Sequence, residues 1–216
     1  MNKKAIVLGA TGLVGSNLVN QLEESDGFDE IVAITRRPVV YESSKITNLV
    51  VDFNKLDEFD FAFQGDTLFS CLGTTVKQAG SVSAQRIVDL DYQLKAAELA
   101  FEQGVQHYIL VSASGANAKS LSPYLKMKGE LEDAVINLGF KSVSIMQPSL
   151  LLGDRPESRT AEGLASIALP IICKLPGLRR FRPIHGWQVA KKMREVSLSD
   201  RSGLLTFNLD DVFPSR

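Results

Sequence analysis

The chain has 216 residues, 44% of them hydrophobic, and 24 Lys plus Arg against 25 Asp plus Glu give a net charge of −1. That length supports a domain with a sizeable core, and the balanced charge excludes a general nucleic-acid footprint, so no nucleic-acid partner is expected. No apolar run reaches the roughly 18 residues of a membrane span; the longest candidate, Leu164 to Cys173, is interrupted by Pro170.

The first apolar run ends at Gly9, too early for the core of a secretory leader. Cys71 and Cys173 are the two cysteines, and they form neither a disulfide framework nor a metal-ligand spacing. Both are expected as free thiols in a cytoplasmic protein. No repeat, low-complexity tract or Pro/Gly/Ser linker divides the chain, so residues 1–216 are read as a single domain.

Residues 4–15 read K-A-I-V-L-G-A-T-G-L-V-G. Ala5 to Leu8 is long enough for a buried strand. Gly9, Gly12 and Gly15 follow, and then Leu13, Val14, Leu18, Val19 and Leu22 recur at helical spacing. Strand, glycine turn and helix in that order form the context in which a glycine fingerprint binds a dinucleotide. Gly9 permits the tight turn, Gly12 leaves the backbone open to a pyrophosphate, and Gly15 lets the helix pack closely on the strand. The free N–H groups at the helix start face the phosphates.

Glu30 to Thr35 is the second predicted strand and runs into Arg36-Arg37-Pro38. In a doubly wound sheet this position faces the adenosine ribose. Two guanidinium forks suit a 2′-phosphate, which favours NADP(H) over NAD(H); the alternative is a solvated pair at a strand end. Asn48 to Phe53 reads as the third strand, with Asp52 placed either to accept from the adenine amino group or to cap a short helix over residues 56–63. Asp66 to Leu72 is the fourth strand, apolar as a strand covered on both faces should be. Gly73, Thr74 and Thr75 follow, either a close approach to the second ribose or an ordinary turn.

A long helix is expected over residues 84–103, with Ile87, Leu90, Leu94, Ala97 and Phe101 on one face and Gly104 ending it. The fifth strand is His107 to Ser112, with His107 at the end away from ligands and therefore structural. Five strands alternating with helical segments define an α/β fold with a doubly wound parallel sheet. A sixth strand spans Ser142 to Gln147 and stops at Pro148.

Ser112 and Ser114 close the fifth strand. Ser122-Pro123 then starts a helix over residues 124–138 that carries Tyr124 and Lys128, one turn apart on one face. Hydride transfer to a carbonyl needs a proton donor beside the forming alkoxide. A phenol titrates near 10, about three units too high for efficient work at neutral pH. A nearby ammonium lowers it, and a serine hydroxyl can hold the substrate oxygen. Ser, Tyr and Lys together make an acid/base site, set against the alternative of an unremarkable surface helix face.

The glycine turn, S-A-S after the fifth strand and Y-L-K-M-K at 124–128 resemble the short-chain dehydrogenase/reductase superfamily. F-Q-G at 63–65, C-L-G-T-T at 71–75, Y-L-K-M-K-G-E-L-E at 124–132 and L-L-G-D-R-P-E-S-R at 151–159 narrow the resemblance to the atypical group that contains the Tat-interacting protein. It covers most of residues 4–160 and fades beyond. It implies a Rossmann-like, NADP-binding fold in which the cofactor contacts are Gly9, Thr11, Gly12, Leu13, Val14, Arg36, Arg37, Leu72, Gly73, Tyr124, Lys128, Leu151 and Arg159. Asp52 and Thr74 join them from the readings above. The implied catalytic pair is Tyr124 and Lys128. For the serine, Ser112 fits this group and Ser114 fits the spacing of sugar-nucleotide epimerases.

Arg155 and Arg159 follow the sixth strand, either to bind phosphate or an anionic substrate or to pair with Asp154 and Glu157. A small C-terminal cap on the substrate side is expected over about 153–203. In it, Leu178-Arg179-Arg180-Phe181-Arg182 offers an anionic-substrate edge, a protein-partner surface or a solvated loop. His185 is read as a packing or helix-start residue before a helix over 188–196, Trp187 as core or interface, and residues 204–209 as a last strand. The leading expectation is an NADP(H)-dependent oxidoreductase acting on a small-molecule carbonyl or alcohol. The alternatives are an NADP(H)-binding regulator with a protein partner, the role the resemblance implies for the mammalian member, and a nucleoside-diphosphate-sugar epimerase-like enzyme.

Overall fold

The computed structural model describes residues 3–153, 179–200 and 202–215. Among these residues, seven strands form one wholly parallel sheet. They are β1 (Lys4–Leu8), β2 (Glu30–Thr35), β3 (Ile46–Val50), β4 (Thr67–Ser70), β5 (His107–Val111), β6 (Ser142–Gln147) and, further on, β9 (Gly203–Asn208). Their order is β3-β2-β1-β4-β5-β6-β9. A pair of two-residue strands, β7 (Leu151–Leu152) and β8 (Ile184–His185), lies apart. The chain winds outward from β1 to β3, crosses back to β4 and winds outward again. The expected doubly wound, Rossmann-like α/β fold is therefore present.

The period-two alternation of strand side chains separates two cores. Ala5, Val7, Ile31, Ala33, Phe69, Ile109, Val111 and Met146 share one core with α1 (Leu13–Glu23). Ile6, Leu8, Val32, Ile34, Leu68, Tyr108, Leu110, Val143 and Ile145 share the other with a 3₁₀ run over Phe53–Phe63. The helical elements after β4 are α2 (Val76–Ala79), α3 (Val82–Arg86), one π-helical turn at Ile87–Asp91, α4 (Tyr92–Glu102) and α5 (Pro123–Asn137), and α4 and α5 cover this second face. The helix expected at 84–103 is thus broken by a widened turn, and it ends as expected at Gly104, where φ is +83°.

One expectation is corrected by local hydrogen bonding. The third strand is Ile46–Val50, not 48–53, because Asp52 caps the 3₁₀ run by accepting from the Asn54 backbone N–H at 3.0 Å. The segment expected to be a substrate-side cap contributes α6 (Gly186–Ser197), whose Val189, Ala190, Met193 and Val196 pack into the α1 core. α6 is a layer of the main fold. Residues 154–178 of that expected cap, and with them Arg155, Arg159 and Cys173, lie outside the described residues. Trp187 is 47% exposed and so does not belong to the core. His185 starts α6 through a reciprocal cap with Gln188, whose Oε1 accepts from the His185 N–H at 3.0 Å.

His107 begins β5, buried, with Nε2 2.9 Å from Ser144 Oγ. Burial pushes its imidazole down to about 4. An unfolded histidine titrates near 6.5. Between those two values the unfolded chain binds a proton that the folded chain refuses, so stability falls as pH drops through the window. A His107→Leu variant should show a stability-versus-pH slope shallower by up to about 1.4 kcal/mol per pH unit there. Chemical denaturation across that range reads the slope, and a constant offset from the unpaired Ser144 hydroxyl does not affect it.

Candidate functional site

The crossing from β3 back to β4 opens a crevice between the carboxyl ends of β1 and β4, where doubly wound sheets bind ligands. Gly9 turns out of β1 with φ +80°, and a Cβ there would lie 2.8 Å from the Cys71 carbonyl and the Leu72 nitrogen. A Cβ on Gly15 would stand 2.1 Å from Gly9 O. The Gly12 N–H donates to Gly9 O at 2.9 Å, and Gly12 then caps α1 without a side chain. The tight turn at Gly9 and the close packing at Gly15 are thus formed as their spacing predicts, and Gly12 brings no side chain to the helix start.

A cleft of about 1740 Å³ opens over this turn. Gly9, Thr11, Gly12, Arg36, Arg37, Asp52, Leu72, Gly73 and Thr74 all line it, so most of the expected cofactor residues converge on one space. Leu13 and Val14 do not line it. Val14 is buried in the core, and Leu13 packs against Gly153 and Gly186, which leaves both with backbone to offer. Leu151 sits on β7, paired with Ile184, and packs against the α1 core. Arg159 lies outside the described residues. Of the two readings of Asp52, the cap is formed: its Oδ1 accepts from both the backbone and the side-chain nitrogen of Asn54 at 3.0 Å, while the residue also faces the cleft.

Tyr124 and Lys128 lie on the first turns of α5 and differ in environment. Tyr124 is 39% exposed, whereas Lys128 is 3% exposed. The Lys128 ammonium sits 3.4 Å from Asp89 Oδ1 and donates to the Val111 carbonyl at 3.4 Å. Asp89, 1% exposed on the π-helical turn, accepts from the Thr74 N–H at 2.9 Å through its other oxygen. Asp89 thus joins the cleft loop to Lys128. Sequence reading missed it because only the apolar positions of that helix were counted; the signal was an acid placed beside Leu90 on a helix that had to pack on the sheet.

The two serines also divide. The Ser112 hydroxyl donates to Glu132, another buried acid, one turn beyond Lys128 on α5. Gln147 donates to both Glu132 oxygens at 3.0 Å and accepts from Asn208 Nδ2 at 2.8 Å. Burial pushes the Glu132 carboxyl up, and the bonds from Ser112 and Gln147 oppose that. Ser112 is therefore turned into the protein. Ser114 is at the outer end of the same network, its Oγ 3.5 Å from Asn208 Oδ1. The Cys71 thiol on the cleft wall is pushed up to about 12 by burial, with the Lys128 charge pulling the other way.

In the 179–182 string, Arg182 lies 3.9 Å above the Phe213 ring and 3.3 Å from Asp210, so it fastens the C-terminal turn. Arg180 stacks on Phe181 at 5.0 Å.

Glycine turn, helix start and switch-point cleft together define a dinucleotide-binding protein of the doubly wound type. Residues 9–165 match the profile of a family described as NAD(P)H-binding, and the chain belongs to that family. Protein HTATIP2 of Rattus norvegicus is 44% identical over 168 residues, 76% of this chain and 69% of that protein. A mitochondrial protein of Eremothecium gossypii, FMP52, is 30% identical over 201 residues, 91% of this chain and 89% of that one. Among solved structures, MoeE5 in complex with UDP-glucuronic acid and NAD superposes with a TM-score of 0.74 at 19% identity, over 95% of this chain and 76% of that one. The oxidoreductase ylbE of Lactococcus lactis gives 0.67 at 17% identity, over 94% and 89%. Both share the fold.

The Asp89–Lys128 pair is testable by itself. Asp89→Asn leaves a buried ammonium without its counter-charge and should cost about 3–5 kcal/mol. The Asp89→Asn, Lys128→Met double variant should recover much of that loss. Urea denaturation of the three proteins measures both.

Proposed function

We propose that this protein is an NADP(H)-dependent oxidoreductase acting on a small carbonyl or alcohol. The observation that carries the cofactor preference is the Arg36-Arg37 pair, which follows β2 and faces the cleft with no ion-pair partner among the described residues. The donor set fits the cofactor: backbone N–H groups for the pyrophosphate at the start of α1, and two guanidinium groups for a 2′-phosphate. A bound nicotinamide supplies or accepts the hydride. In this reading Tyr124 holds and delivers the proton at the substrate oxygen. Lys128, fixed by Asp89 and the Val111 carbonyl, orients the tyrosine end of α5. Ser114 is the serine that steadies the substrate oxygen, because Ser112 already serves Glu132.

A second reading is an NADP(H)-binding regulator that engages a protein partner with little turnover. It is favoured by the same geometry: the Lys128 charge is already met by Asp89 and the Ser112 hydroxyl by Glu132. An epimerase-like role on a nucleoside-diphosphate sugar draws on the MoeE5 likeness. Against it, the chain spans 76% of MoeE5, which leaves less protein to enclose a large substrate.

Thermal melts with NADPH, NADP, NADH and NAD test the cofactor. Binding to the native state raises the midpoint by mass action, equivalent to about 2.7 kcal/mol at a hundredfold excess over Kd. The phosphorylated pair should give the larger shift, and an Arg36→Ala, Arg37→Ala variant should erase that advantage while keeping the NADH response. Equal shifts for all four in the wild type would remove the NADP preference.

The chemistry is tested by a screen of small carbonyls with NADPH. Tyr124→Phe should lower turnover about 10²–10⁴-fold while leaving cofactor affinity in place. Absence of turnover in the wild type, with NADPH-dependent partner capture that survives Tyr124→Phe, would favour the regulator.

A further inference from the structure

Among the described residues lining the cleft, the full positive charges are Arg36, Arg37 and Lys77. Lys77 is exposed and, among the described residues, unpaired. It stands on α2, a single turn begun by Thr75, whose hydroxyl accepts from the Gln78 N–H at 3.1 Å. The turn is ended by Gly80 at φ +89°, and it buries none of its residues. Among the described residues, no packing contact requires a lysine there.

The strand order places this charge. β2 and β4 lie on opposite sides of β1, about 10 Å apart at the usual strand spacing. The arginines follow β2, the side of the adenosine ribose. The glycine turn follows β1, where the pyrophosphate meets the start of α1. Lys77 follows β4, on the far side of the turn from the arginines. The glycine turn itself, Gly9 to Gly15, contains no charged residue, so it offers a doubly charged diphosphate only neutral N–H groups and a partial helix charge.

We propose that Lys77 binds the pyrophosphate common to both dinucleotide types, a full positive charge supplied from beyond β4 to an anion that the glycine turn meets with backbone alone. This rests on the dinucleotide reading of the cleft. It assigns different work to the two sets of cations: the arginines discriminate between cofactors, and Lys77 strengthens both without discriminating.

Calorimetric titration of the full chain with NADPH, NADH and ADP tests the assignment. Lys77→Gln should weaken all three by about tenfold, the worth of one charge-assisted hydrogen bond near a surface. The NADPH-to-NADH affinity ratio should stay as in the wild type. Lys77→Arg should restore most of the loss, and raising the salt should narrow the gap between wild type and Lys77→Gln. The Arg36→Ala, Arg37→Ala variant should show the opposite pattern, a collapsed ratio with ADP affinity unchanged. Unchanged NADH and ADP affinity in Lys77→Gln overturns the proposal, and so does a loss confined to NADPH, which would move Lys77 to the 2′-phosphate. A wild type that binds none of the three ligands overturns the dinucleotide reading itself. The two failures differ, because the first leaves wild-type binding intact. Circular dichroism of each variant confirms that the fold is kept.

Discussion

The constraint on which the structure depends is the close passage of Gly9 beside the Cys71–Leu72 backbone. The turn out of β1 and the end of β4 run with room for a hydrogen and nothing larger, since a Cβ on Gly9 would lie 2.8 Å from three backbone atoms. That passage fixes where α1 starts, and Gly15 lets α1 press onto the same turn. The cleft exists because two strands that are neighbours in the sheet send their chains in opposite directions here. Everything that lines it descends from this point: the arginines one strand to one side, the Gly73–Thr74 loop one strand to the other.

From that loop a buried polar chain leads into the second core. Thr74 donates to Asp89, Asp89 meets Lys128, and Lys128 reaches the carbonyl at the end of β5. One turn further along α5, Glu132 gathers Ser112 and Gln147, and Gln147 bonds Asn208 at the end of β9. A buried charge is tolerated when it is paired and its remaining sites are bonded. Asp89 meets it through Lys128 and the Thr74 N–H, whereas Glu132 has no ion-pair partner among the described residues and is held by hydrogen bonds from Ser112 and Gln147. The carboxyl ends of β4, β5, β6 and β9 are thereby tied to one helix face, a geometric frame that apolar packing alone would leave free to slide.

The sheet was largely legible in the sequence because each buried strand is a short apolar run bounded by turn residues; β2 and β6 have the predicted bounds, and the others differ at their ends. The glycine fingerprint was legible because its three positions each answer a separate steric demand. What the sequence hid follows from pairing across space. Nothing in the spacing of Tyr124 and Lys128 says that the lysine turns inward to Asp89, because the π-helical turn that brings Asp89 there has no signature in side-chain periodicity. Ser112 and Ser114 are indistinguishable by position along the chain; only the buried Glu132 separates them. The Asp52 cap ended the third strand early for the same reason: side-chain hydrogen bonds compete with the ladder.

The charges of the site fall into two groups with different physics. Arg36, Arg37 and Lys77 are exposed at strand and helix ends, open to solvent and to a ligand, and their pull on an anion is weakened by salt over about 8–10 Å. Asp89 and Lys128 are enclosed, paired with each other, and largely beyond the reach of ionic screening. The first group is open to any ligand that the cleft takes. The second holds the tyrosine-bearing end of α5 against β5 whether or not a ligand is present. Thr74 touches both groups, lining the cleft through its own surface and bonding Asp89 through its N–H. The cleft loop and the buried pair are therefore joined through a backbone hydrogen bond.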